Sequence, residues 1–172
     1  MTLRTNARVA GVAFLVYIVA GVASLAMART SATDVLLVFT SFSALVLGVT
    51  LYAITRQVDP DLALLALVCR VVEGVPGHGG AAIFFAVGST IFCWLLLRGR
   101  MIPDALAWLG VVASALLVAI LLLQRAQLLG GTNWYGSITW LVWMPMLVFE
   151  LAFAGLLIVK GVATPAVRSR AA

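Results

Sequence analysis

Arg70, Glu73 and Glu150 are ionisable residues set inside long apolar stretches of a 172-residue chain that is 64% hydrophobic and 10% charged. A charge in hydrocarbon costs at least ~2.5–3.5 kcal/mol on insertion scales, so such side chains face a protein interior and have partners there. Arg70 and Glu73 are three residues apart and share one helix face. Arg70 follows Asp61 by nine residues and Glu150 precedes Lys160 by ten. At a rise of ~1.5 Å per residue, both lie roughly 13–15 Å from the ends of their segments. An antiparallel placement of the third and sixth segments then brings them to one depth, and the guanidinium is expected to bridge both carboxylates. With all three ionised the cluster holds one negative charge in excess. A low dielectric disfavours that excess, so one glutamate is expected to carry a proton.

Two roles suit this cluster. It is interior glue that sets which helices pair and in what register. Alternatively Glu73 or Glu150 handles a proton, cation, small solute or lipid, as acidic residues do in pumps and transporters. Pro145 stands five residues before Glu150; it removes a helix hydrogen bond, so a kink is expected beside the cluster. His78, the one histidine, lies in a Pro76-Gly77-His78-Gly79-Gly80 turn above Glu73. It is read as a solvated turn residue or as an outer gate sensitive to pH.

Catalytic chemistry finds little support. No GxSxG elbow, HExxH pair, Walker loop or dinucleotide fingerprint is present. A lone histidine is a poor partner for Ser89 or any other serine in the apolar runs, so no catalytic residues, no cofactor and no metal are expected. Cys69 and Cys93 lack metal-ligand spacing and read as small packing residues.

The elements that must position these residues are helices. A mean hydropathy of +1.17 is far above that of soluble domains, and the chain divides almost wholly into apolar runs. Six spans are read, at about 9–28, 35–55, 61–75, 80–97, 103–123 and 137–159. Each is too uniformly apolar for a barrel strand. The expected fold is all-α, a single membrane domain over 1–172 formed by a polytopic bundle. The third span, at ~22 Å, is short of a ~30 Å hydrocarbon core, and a re-entrant hairpin is its alternative. With six spans, Arg4, Arg8, Arg56, Arg98, Arg100, Lys160, Arg168 and Arg170 share one side, against Arg29 and Arg125 on the other. That bias places both termini in the cytoplasm.

The same distribution explains the net charge of +5. It orients spans in a membrane and is no nucleic-acid signal. The first segment ends Ala26-Met27-Ala28 like a cleavage site, but its apolar run exceeds a signal core and a retained signal-anchor helix is expected. Ala44 with Gly48, and Ala82 with Ala86, have the four-residue spacing that lets helices approach closely in lipid. Trp94, Trp108, Trp134 and Tyr135 read as interfacial anchors.

Four segments resemble the bacterial membrane family known as domain of unknown function 4386, or DUF4386. They are Arg8-Val9-Ala10-Gly11 with Tyr17, Cys69-Arg70-Val71-Val72-Glu73, Ile83 through Gly88 followed by Leu97-Arg98 and Ile102-Pro103 to Trp108-Leu109-Gly110, and Pro145 to Glu150 followed by Lys160-Gly161. The resemblance implies a six-helix integral membrane protein with no assigned reaction. It sets Arg70, Glu73 and Glu150 at family-like positions without giving them a role. The chain is therefore expected to be a multi-pass protein of a bacterial-type plasma (inner) membrane. Its expected role is structural or accessory, with transporter-like handling at Glu73/Glu150 as the alternative and an intramembrane enzyme behind both. Its expected partners are the lipid bilayer and a second copy or another membrane protein.

Overall fold

The structure, a computed structural model, describes residues 2–27, 30–75, 80–129 and 137–165. These residues form six α-helices joined by short links, with no strand among them: α1 Leu3–Ala26, α2 Ser31–Thr55, α3 Pro60–Glu73, α4 Ala81–Arg98, α5 Asp104–Arg125 and α6 Ser137–Val159. Five stretches, in α1, α2, α4, α5 and the Leu141–Val159 part of α6, are long and apolar enough to cross a membrane. The 14-residue α3 is not among them. The chain is thus an all-helical, multi-pass membrane protein whose apolar surface meets the bilayer.

Helix ends follow local capping rather than hydropathy. Thr2 accepts a hydrogen bond from the Thr5 backbone N–H at 3.2 Å, so α1 starts at Leu3, ahead of its apolar run. Asp59 accepts from the Leu62 N–H at 3.2 Å with Pro60 following it, the usual entry to a helix. The other Asp59 oxygen receives Arg98 Nη1 at 3.1 Å, joining the start of α3 to the end of α4. The Ala163 N–H donates to the Met101 carbonyl at 2.9 Å, which ties the stretch after α6 to the α4–α5 link. His78, Arg29, Trp134, Tyr135, Arg168 and Arg170 lie outside the described residues.

The helices form a ring in chain order. Each packs on the next, and α6 packs on α1 to close the circle, while α2 also touches α4. Short links between successive antiparallel elements favour such an arrangement. The core is apolar, and so is most of the surface, where a water-soluble bundle would be polar. Phe42 is 67% exposed and Leu141 74%, whereas Arg70 is 1% exposed. Lipid tails solvate the outer apolar side chains, and only the interior offers polar partners. Trp94 and Trp108 face outward near the ends of α4 and α5, as expected of anchors. Cys69 and Cys93 are buried free thiols.

Helix contact depends on close fit, because lipid offers no hydrophobic drive for one apolar helix to leave it for another. A Cβ at Gly110 would come within 2.6 Å of Phe149 Cε2 and 2.7 Å of Cys93 Sγ, so α5 meets α6 and α4 there through a bare backbone. Nothing lies within 4 Å of a Cβ at Gly155. Gly110→Ala is therefore expected to lower stability by about 1–3 kcal/mol through overpacking, with Gly155→Ala neutral. Thermal unfolding of both variants in one detergent checks this; equal midpoints would refute the close fit.

Candidate functional site: a buried polar network inside the ring

Arg70 occupies the last turn of α3, a position the neighbouring helices are shaped to receive. A Cβ at Gly48 of α2 would lie 2.9 Å from Arg70 Cβ, and one at Gly88 of α4 would lie 3.0 Å from Cys69 Cβ. Two glycines thus let α2 and α4 close on the turn of α3 that carries the charge. The aliphatic stem of Arg70 is held by this packing, and its head is directed into the ring.

The guanidinium makes three kinds of contact. Its Nη1 pairs with Glu73 Oε2 at 2.9 Å and reaches Oε1 at 3.3 Å. Nη2 donates to Ser89 Oγ of α4 at 3.1 Å. Its carbon lies 4.8 Å from the centre of the Phe85 ring, within cation–π range. Phe85 also stacks with Tyr17 of α1, at 6.2 Å, and with Trp143 of α6, at 5.5 Å. The Tyr17 hydroxyl completes the network by donating to Glu73 Oε1 at 2.6 Å, a short charge-assisted bond. Through Glu73 and Ser89, one arginine links α1, α3 and α4.

Glu150 stands differently. It is 5% exposed on α6, and its Oε1 is buried without a hydrogen-bond partner. It lies within the electrostatic field of both Arg70 and Glu73. No ion pair joins it to Arg70 among the described residues, so the expected double bridge is not made. The reason is azimuth. Matching depth puts two residues at one height, but α3 and α6 are not neighbours in the ring. The arginine instead turns to the carboxylate one helical turn along its own helix and to the helix beside it. Arg70 Nε is left buried and without a partner, as is Glu150 Oε1.

Of the residues singled out from sequence, Arg70 and Glu73 are paired and Glu150 stays close but unbonded. Pro145 sits inside a helix that continues through it from Ser137 to Val159. His78 lies outside the described residues. Among those residues no group of three or more His, Cys, Asp or Glu side chains could hold a metal ion. Tyr17 and Ser89 join the network without belonging to the cluster expected from sequence. A phenol within an apolar run needs a hydrogen-bond partner, and that was the available signal for Tyr17. Ser89 had no comparable mark, because a serine in a membrane helix can bond its own backbone, as Ser114 does to the Gly110 carbonyl at 2.6 Å.

Comparison with known proteins yields one finding. The family model described as Domain of unknown function (DUF4386) matches residues 76–161, half of the chain. The match takes in α4, α5 and α6, with Ser89 and Glu150, and begins after Arg70 and Glu73. No curated protein and no solved structure matches the chain.

Proposed function

Because the chain belongs to the DUF4386 family, a domain without an assigned reaction, we propose that it is a structural or accessory protein of the plasma membrane, with six spans and both termini in the cytoplasm. The observation that carries this reading is the Arg70 network. A cation that is ion-paired, hydrogen-bonded and ring-stacked is held by three helices and acts as an interior fastener. Ser89, the serine best placed for an enzyme reading, accepts a hydrogen bond from that same cation, which favours a non-enzymatic role. A homo-oligomer or another membrane protein is the partner such a role calls for.

Span number and orientation rest on two supports. The outer face of α3 is apolar, with Leu64, Leu65, Val68 and Val71 all exposed, so this short helix presents a lipid-compatible stripe. Its 14 residues cover only ~21 Å. A local thinning of the bilayer accommodates such a shortfall at modest cost. The eight-against-two bias of basic residues follows from counting α3 as a span.

A second reading is favoured by Glu150 Oε1, which is buried and unpartnered. Buried carboxylates inside membrane proteins mark proton and ion routes, and this one is available to bind a proton or cation. One experiment distinguishes the two. Vesicles containing the wild-type chain are expected to dissipate an imposed pH gradient no faster than vesicles containing Glu150→Gln. A leak present in the wild type and absent in the variant would replace the accessory role with proton handling.

A further inference from the structure

On the outside of the ring, α1 and α2 leave a furrow of about 410 Å³ between them. Its floor is made by the small residues Ala13 and Ser43, and its walls by Val12 and Val16 of α1 and Phe39 and Phe42 of α2. The two stripes run at three- and four-residue spacing, so each is one face of its helix. Arg8 lines the same furrow one turn before Val12, and it makes no ion pair among the described residues. Arg4 in the first turn of α1 and Arg56 just after α2 add positive charge at this end of the helix pair.

We propose that this furrow seats one acyl chain of an anionic phospholipid, with the lipid phosphate held by Arg8. A furrow of this volume, with small residues at its floor and apolar side chains along both margins, matches a single hydrocarbon chain. Its one charged margin lies where a headgroup would sit, because arginine extends its stem along apolar surface and delivers its head to the interface. Basic pockets between membrane helices recognise anionic headgroups by this combination. Charge also argues against a second copy as occupant. Two-fold docking through the furrow would bring Arg8 residues to one height, while α1 has no acidic residue and the one acid of α2, Asp34, is at the opposite end.

The test uses the full chain in nanodiscs of equal phosphatidylglycerol and phosphatidylcholine, with retained lipid counted by native mass spectrometry. The wild type is expected to keep phosphatidylglycerol in preference to phosphatidylcholine. Arg8→Gln, at an exposed position that leaves packing intact, is expected to lose roughly fivefold of that preference, the weight of one basic side chain near an anionic headgroup. Ser43→Leu raises the floor and is expected to retain neither lipid. The proposal is overturned by equal retention of both lipids in the wild type, by an undiminished preference in Arg8→Gln, by unchanged retention in Ser43→Leu, or by a second copy of the chain occupying the furrow in place of lipid.

Discussion

Replacing Arg70 by methionine will lower the stability of the folded bundle by about 3–5 kcal/mol, because it strands the buried Glu73 carboxylate without its counter-charge. The Glu73 side chain is 5% exposed, so water cannot take over the role of the guanidinium. Methionine fills much of the volume of the arginine stem, which isolates the electrostatic effect from a packing defect. Pairing the change with Glu73→Gln removes the stranded charge and keeps an acceptor for the Tyr17 hydroxyl, so the double variant is expected to recover more than half of the loss. Unfolding in mixed micelles, followed by near-ultraviolet circular dichroism, measures both. A single variant as stable as the wild type would mean that the pair contributes nothing to the fold, and the fastener reading would fail with it.

The second large effect is expected at the seam where the ring closes. Phe153 of α6 meets Phe14 of α1 edge-on at 5.6 Å and stacks on Phe149 at 5.3 Å. All three rings are buried. Phe153→Ala removes a ring that neighbouring backbones cannot collapse to replace, and it is expected to cost about 3–5 kcal/mol. Lipid can solvate apolar surface exposed by unfolding, so the loss comes mainly from packing contacts and the cavity. Leu116→Ala, at a residue pointing outward on α5, serves as the control and is expected to leave the unfolding midpoint unchanged. Equal losses at the two positions would contradict a ring closed by α1 and α6.

Much of this architecture was legible beforehand. The boundaries read for the sixth span, 137–159, coincide with α6, and those of the second end with α2 at Thr55. The apolar run read from about Val9 opens six residues after α1 begins at Leu3, because hydropathy marks apolar sequence and not the first helical residue. The helix itself begins earlier, where Thr2 caps it ahead of that run. The four-residue spacing of Ala44 and Gly48 marks Gly48 for close approach, and the structure sets it against Arg70; Gly88, its partner in that fit, carries no comparable mark in the sequence. The burial of Arg70 and Glu150 followed from the cost of exposing charge to lipid, and so did the (i, i+3) pairing of Arg70 with Glu73.

What the chain alone determined is thus local to each segment: which stretches are helical and apolar, where along each stretch a charge falls, and that it turns inward. These are properties of single helices, set by the bilayer acting on each segment separately. Which helix stands beside which was decided only by the tertiary structure, and with it the choice of Tyr17, Ser89 and Phe85 as companions of Arg70 and the separation of Glu150 from it. Rotation of one helix around another carries no signature in hydropathy. It is settled by how small residues and aromatic rings interlock once all six helices share one interior.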